Sequence, residues 1–221
     1  MPYFASDAEK SRSAKLALRN QLLAARSLLI PSDILSAAVE VQAETIAFVR
    51  RTRASTIAAY VPVGAEPGGS DLPQVLAEAL APGGRLLLPV LLDDGDLDWA
   101  RYTGSLVAGP RGLREPAGDR LGVDAVRDAG LVIVPALAID RRGIRLGRGG
   151  GSYDRALARL APSSAPLAPS STPSAAPWTV ALLHDGELIK DVPAEPHDRA
   201  VRAAITPGGG LSLSRGPEWT N

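Results

Sequence analysis

The sequence predicts an α/β protein, a single domain with a three-layer α/β/α arrangement around a largely parallel central sheet. Three observations carry this reading. Short apolar runs at 56–61, 85–89, 131–135 and 179–183 are bounded by charge or proline and have the length of buried strands. Segments of helical character alternate with them, the order that covers both faces of a parallel sheet with helices. Finally, 22 glycines and 19 prolines in 221 residues imply more turns than a helical bundle needs.

The elements follow in chain order. Residues 10–29 contain no glycine or proline, and Ser6 followed by Glu9 forms a capping-box pattern, so a helix runs up to Pro31. A second helix is expected over 32–50, then a buried strand over 56–61, closed by Pro62. A helix over 72–80, a strand over 85–89, a helical segment over 123–128 and a strand over 131–135 come next. Another helix over 153–160 precedes a further strand, 179–183. Between these two, residues 161–177 contain only Ala, Pro, Ser, Leu and Thr, too few anchoring groups to offset the entropy of ordering them. They read as a mobile loop, and the 44 residues beyond are too few for a separate core, so residues 1–221 are expected to form one domain.

Composition excludes several chemistries. With 24 basic and 24 acidic side chains the chain lacks the excess charge that drives nonspecific nucleic-acid binding. Because cysteine is absent, there are no disulfides, zinc–thiolate sites or thiol nucleophiles, and His184 and His197 are the only imidazoles. Charges are scattered through the first 30 residues, unlike a secretory signal, and no stretch approaches the ~20 apolar residues of a membrane span. A cytoplasmic protein with no membrane partner is expected.

The segment with most chemical content is 135–155. Residues 141–159 hold six arginines against one acid, Asp154, and Gly147, Gly149, Gly150 and Gly151 free the backbone to approach a ligand just before a helix. Phosphate is the natural candidate; a flexible, solvated basic turn is the alternative. Ser152 stands where a dinucleotide fingerprint counted from Gly147 requires glycine, and the loop lacks the lysine of a Walker A motif. Asp154, set among phosphate oxygens, implies a bridging magnesium; otherwise it complements the helix dipole.

In the first helix, at about 100° per residue, Arg12, Lys15, Arg19 and Arg26 fall within a sector of about 60°, flanked by Leu16, Leu18, Leu22 and Leu23. The leucines are expected to face the protein. The cations then either snorkel outward, which is the expectation from these residues alone, or reach a buried anion. Glu66 lies in a strand-end loop of the kind that holds ligands in α/β proteins, or is simply exposed. His197 and Asp198 either complete a base or metal site or form a capped turn.

The ordered set of motifs resembles the 5-formyltetrahydrofolate cyclo-ligase family. The resemblance is most specific in Asp140-Arg-Arg-Gly-Ile-Arg-Leu-Gly-Arg-Gly-Gly-Gly-Ser-Tyr-Asp154. Lys15-Leu-Ala-Leu-Arg19, Tyr60-Val-Pro-Val-Gly-Ala-Glu66, Leu88-Pro89, Arg114-Glu-Pro116 and the segment from Pro193 to Asp198 support it. The resemblance implies an enzyme that converts 5-formyltetrahydrofolate to 5,10-methenyltetrahydrofolate with ATP and magnesium, releasing ADP and phosphate. It implies ATP contacts at Lys15, Leu16, Ala17, Leu18 and Arg19, and again at Arg145, Leu146, Gly147 and Arg148. Val61 and Glu66 would bind the folate; Gly149, Gly150, Gly151, Ser152 and Tyr153 would touch both ligands; Asp154 and Asp198 would hold magnesium. Arg145 and Arg148 are the candidates for stabilising the transferring phosphate, and Glu66 for orienting the pterin. The expected partners are ATP and a reduced folate, with no nucleic acid, and the expected state is a monomer. This chain departs from the family pattern at Ser152, where a tyrosine is frequent, at Glu187, where glutamine is usual, and at Gly68-Gly69-Ser70. Two other readings are a noncatalytic nucleotide- or RNA-binding module on the same fold and a sugar-phosphate isomerase or transferase. The latter would be expected to pair a carboxylate with a lysine near the loop, and no lysine occurs between Lys15 and Lys190.

Overall fold

A computed structural model describes residues 7–160 and 176–214. Two helices, α1 (Asp7–Ser27) and α2 (Pro31–Thr52), lead into β1 (Thr56–Ala58), α3 (Leu72–Ala79), β2 (Arg85–Leu91) and β3 (Leu97–Arg101). A small hairpin follows, β4 (Leu106–Ala108) and β5 (Arg114–Pro116), then a 3₁₀ segment, Val123–Asp128. Next come β6 (Leu131–Pro135), β7 (Ala138–Asp140), β8 (Arg145–Leu146) and α4 (Ser152–Ala158). The chain closes with β9 (Trp178–Leu182), β10 (Leu188–Ile189), β11 (Ala203–Thr206) and β12 (Gly210–Leu213).

The central sheet has seven strands in the order β12-β11-β9-β6-β1-β2-β3. Its inner pairs are parallel, and each edge is closed by an antiparallel strand, β3 on β2 and β12 on β11. Alternation along the strands gives the sheet two apolar faces. Ile57, Leu86, Leu88, Leu131, Ile133, Val180 and Leu182 pack with Val41 and Phe48 of α2 and Leu72 and Leu76 of α3. Ala58, Leu87, Val132, Val134 and Ala181 face the other way, against Val126 of the 3₁₀ segment and Ala156 and Leu157 of α4. These layers form the single three-layer domain that the strand and helix order predicts. Among the described residues, no single helix is long and apolar enough to cross a membrane.

Several details differ from the expectation. The first strand stops at Ala58, although the Ala59 N–H still donates to Leu87 O at 3.0 Å. Residues 123–128 form a 3₁₀ helix, and α4 runs Ser152–Ala158 in place of 153–160. Both antiparallel edge strands and the small β10-β7-β8 sheet escaped the apolar-run criterion, since each mixes polar and apolar residues or is only two or three residues long. Ser6 and residues 161–175 of the expected loop lie outside the described residues. At the described end of that segment, Arg202 Nη1 donates to Ala176 O at 2.9 Å, and its guanidinium lies 4.0 Å from the Trp178 ring centroid.

Helix α1 overturns the expected orientation. Leu16 and Leu23 are exposed, and only Leu18 and Leu22 pack, half-buried, on Ala138, Leu146 and Val192 of the small sheet. Lys15 and Arg26 are buried instead of snorkelling. The physical reason is a set of carboxylates waiting on the opposite wall, which lets charge enter the interior in ion pairs.

Candidate active site

One cleft of about 480 Å³ collects α1, the ends of β1, β2 and β6, the glycine-rich loop and the turn before β11. Strand β8 carries the loop into place. The hairpin that precedes it is knotted by Asp140, which is fully buried. Its Oδ1 accepts the N–H groups of Arg142 at 2.9 Å and Ile144 at 3.1 Å, and its Oδ2 accepts Val192 N at 3.2 Å and Arg142 Nη2 at 2.6 Å. Gly143 turns this hairpin at φ +84°, where a Cβ would fall 2.2 Å from Val201 O, so no other residue fits. The pairing Ala138↔Leu146 and Ile139↔Arg145 then sends Leu146 into an apolar cluster and Arg145 into the cleft.

Arg145 is buried, and its Nη2 meets Asp154 Oδ1 at 2.8 Å, while Nη1 donates to Pro135 O at 3.3 Å. Its Nε has no hydrogen-bond partner, an orphaned donor at the floor of the cleft. The loop backbone packs tightly around these groups: a Cβ on Gly147 would lie 2.7 Å from Arg145 Nη1, and Gly149 stands at φ +104° against the Arg19 guanidinium. Arg19 Nε donates to Gly147 O at 2.9 Å, tying α1 to the loop. Ser152 Oγ donates to Gly95 O in the β2–β3 turn, so this side chain is occupied in bracing the loop.

The other wall is acidic. Lys15 Nζ reaches Glu195 Oε2 at 2.8 Å and both oxygens of Asp198, at 2.7 and 3.0 Å. Its ammonium holds the Glu195 carboxyl below the usual carboxylate range. Asp198 Oδ2 also accepts Glu195 N at 2.7 Å, so Asp198 caps a turn and neutralises a lysine at once; His197 Nε2 lies 3.8 Å from it. Deeper, Arg26 forms a two-pronged pair with Glu187, Nε to Oε1 at 2.7 Å and Nη2 to Oε2 at 2.8 Å, and donates to Ala136 O at 2.6 Å.

Glu66 is buried, not exposed: Oε2 accepts Val63 N at 3.0 Å and Oε1 meets Arg148 Nε at 3.0 Å. This ion pair joins the strand-end loop to the glycine loop. Tyr153 and Tyr60 stand beside it. Burial, helped by the Glu66 charge, pushes both phenols well above their ordinary pKa, and the Tyr153 hydroxyl is buried without a partner.

The cleft thus brings together Lys15, Arg19, Val61, Glu66, the whole run from Arg145 to Asp154, and Asp198. It does not include Leu16, Ala17 or Leu18: Leu16 and Ala17 are exposed, and Leu18 packs on the small sheet. Sequence reasoning gave no role to Glu195, Tyr60 or Arg111, all of which line it. Glu195 had a legible signal, a carboxylate three residues before Asp198 in a proline-rich turn; Arg111 had none. Among the described residues no cluster of three or more ligating side chains could hold a metal by itself.

Fold and cleft together define an α/β protein with a cleft set between a basic helix face and a glycine-rich loop. The family model of the 5-formyltetrahydrofolate cyclo-ligase family matches residues 11–207, and the chain belongs to that family. It is 41% identical over 166 residues to the 5-formyltetrahydrofolate cyclo-ligase of Mycolicibacterium smegmatis, covering 72% of this chain and 77% of that protein. Against the Escherichia coli K12 cyclo-ligase the identity is 29% over 144 residues, covering 63% and 72%. The NMR structure of Aquifex aeolicus 5,10-methenyltetrahydrofolate synthetase shares the fold, with a TM-score of 0.70, 24% identity, and coverage of 91% of this chain and 93% of that one.

Proposed function

We propose that the protein converts 5-formyltetrahydrofolate to 5,10-methenyltetrahydrofolate at the expense of ATP, with release of ADP and phosphate. The observation that carries this reading is the Glu66–Arg148 pair, which joins a strand-end pocket containing buried Tyr60 and the shielded Tyr153 hydroxyl to a glycine- and arginine-rich loop. Two ligands can therefore meet in one cleft. Family membership favours this reaction over a noncatalytic module or a sugar-phosphate enzyme.

The formyl oxygen is a poor leaving group until it is phosphorylated. The γ-phosphoryl group passes from ATP to that oxygen, N10 attacks the formyl carbon, the C–O bond breaks with phosphate departing, and N10 loses its proton. No covalent bond to the protein is needed, so the site must supply position and charge. Arg145, with a free Nε donor, and Arg148 stabilise the phosphoryl group in flight. Lys15, Arg19 and the loop from Leu146 to Tyr153 hold the nucleotide, while Val61 and Glu66 orient the pterin so that N10 faces the formyl carbon. Tyr153 and Tyr60, held neutral by burial, close the pocket against water.

Asp154 and Asp198 are the residues that would hold magnesium, in competition with the contacts they make to Arg145 and Lys15. Asp154 and Asp198 each present a carboxylate to the cleft, and Mg²⁺ typically takes one or two carboxylates together with phosphate oxygens and water. Bound there, it would neutralise phosphate charge. Incubation with 5-formyltetrahydrofolate, ATP and magnesium should generate the ultraviolet absorbance of the methenyl product, and omission of ATP should abolish it. Folded protein that gives no such absorbance refutes the reading.

A further inference from the structure

Seven lysines and arginines line the cleft, and five of them are already engaged: Lys15, Arg19, Arg26, Arg145 and Arg148 each hold a protein carboxylate or carbonyl. The other two, Arg111 and Arg114, make no ion pair or hydrogen bond through their side chains among the described residues and are exposed. Both sit on the hairpin of β4 and β5. That hairpin is fastened to the sheet by Glu115, whose Oε1 accepts Leu91 N at 2.9 Å, so its tip is held at the cleft and does not drift in solvent.

Arg111 is also in an unusual conformation. It lies in the left-handed region at φ 56° and ψ 27°, at the tip of the hairpin and directly before Gly112. Glycine would occupy that conformation without cost, whereas an L side chain there is uncommon and accumulates at ligand-binding positions. A strained, unpaired guanidinium on a cleft wall is a feature with a cost and no internal return.

The surface between the hairpin and the glycine loop is apolar, formed by Pro89 and Leu91 of β2, Leu97 of β3 and Leu113 beside the hairpin tip. An apolar strip that ends at two free cations matches a ligand with a flat hydrophobic spacer ending in carboxylates. We propose that Arg111, assisted by Arg114, binds the glutamate carboxylates of the folate, with the aminobenzoyl ring lying over that strip. The inference rests on the folate-binding reading above. It assigns the two ends of the cleft opposite roles: the α1 and glycine-loop end takes the phosphates, and the hairpin end takes the carboxylates. Bidentate guanidinium–carboxylate geometry suits this task better than a lysine would.

The test compares binding of 5-formyltetrahydrofolate with that of the corresponding pteroate, which lacks the glutamate, by titration calorimetry on the full chain. Arg111→Gly removes the guanidinium and relieves the backbone, so the variant should melt no lower than the parent protein. The parent should bind the glutamate form at least tenfold more tightly than the pteroate. Arg111→Gly should weaken only the glutamate form, by about tenfold, the loss expected for one charge-assisted contact, with ATP affinity unchanged. Arg111→Lys should recover part of the loss. An equal loss on both folates, or a loss confined to ATP, overturns the carboxylate assignment. A parent protein that binds neither folate refutes the folate reading itself; a parent that binds both, with a variant that still discriminates between them, refutes the hairpin subsite alone.

Discussion

Glu187→Gln probes a buried charge pair behind the cleft. The carboxylate of Glu187 accepts three donors, Arg26 Nε at 2.7 Å, Arg26 Nη2 at 2.8 Å and His184 N at 2.8 Å, with both side chains of the pair under a tenth exposed. An amide keeps the shape but offers one oxygen. Whichever way it turns, its NH₂ group faces another donor, either the guanidinium or the His184 N–H, and the Arg26 charge loses its counter-charge while still buried. Removing one partner of a buried pair costs about 3 kcal/mol, partly offset by the bond from Arg26 to Ala136 O, which survives. For a chain of this size that corresponds to a fall of about 6–12 °C in Tm. Thermal and urea melts of the variant, of Arg26→Met and of the double variant supply a double-mutant cycle, in which the double variant should cost less than the two single changes added, with a coupling of about 1.5 kcal/mol or more. A Tm within about 1 °C of the parent, or a cycle with no coupling, would refute the reasoning that this pair closes the interior under α1.

Asp154→Asn weakens a charge-assisted contact to Arg145, a loss of about 1.5–3 kcal/mol of stability, and should also raise the magnesium concentration needed for half-maximal rate; an unshifted magnesium titration rejects the metal role. Arg148→Ala breaks a pair whose arginine is half exposed, so stability should change by no more than about 1 kcal/mol. Its turnover should fall by at least about tenfold, as for loss of one phosphate contact, and parent-like kinetics with ATP would remove Arg148 from the phosphoryl site. Tyr60 and Tyr153 have phenols raised above the ordinary value of 10.0, so their contribution to stability is complete below that pH and is lost as pH rises above it, where the unfolded chain ionises first. Ultraviolet titration should show both tyrosines resisting ionisation until alkaline unfolding, and hyperbolic titration of all tyrosines near pH 10 in the folded protein would contradict the burial.

Much of the fold was legible because buried parallel strands announce themselves as unbroken apolar runs, as at Leu131–Pro135. The edge strand Leu97–Arg101 was not, since its sequence, Leu-Asp-Trp-Ala-Arg, interrupts the apolar residues with charge and acquires strand character only by pairing with β2. The glycine loop and its arginines could be read from spacing and charge alone. The burial of Lys15 and Arg26 could not, because periodicity reports which residues share a face and not which face turns inward. That choice was made by Glu195, Asp198 and Glu187, carboxylates distant in sequence that only tertiary structure brings to α1. The same limit applied to Glu66, whose partner Arg148 lies on a different element.

The Asp140 knot has a consequence for how this gene can vary in length. Because β8 is only two residues long, its register depends wholly on the turn between Asp140 and Arg145. Insertion or deletion of a single residue there would exchange the directions of Arg145 and Leu146, driving a guanidinium into the apolar cluster and turning a leucine to where Arg145 meets Asp154. The chain between Ile139 and Arg145 therefore behaves as a fixed-length ruler, intolerant of insertions and deletions even where the exposed Arg141 is free to change identity.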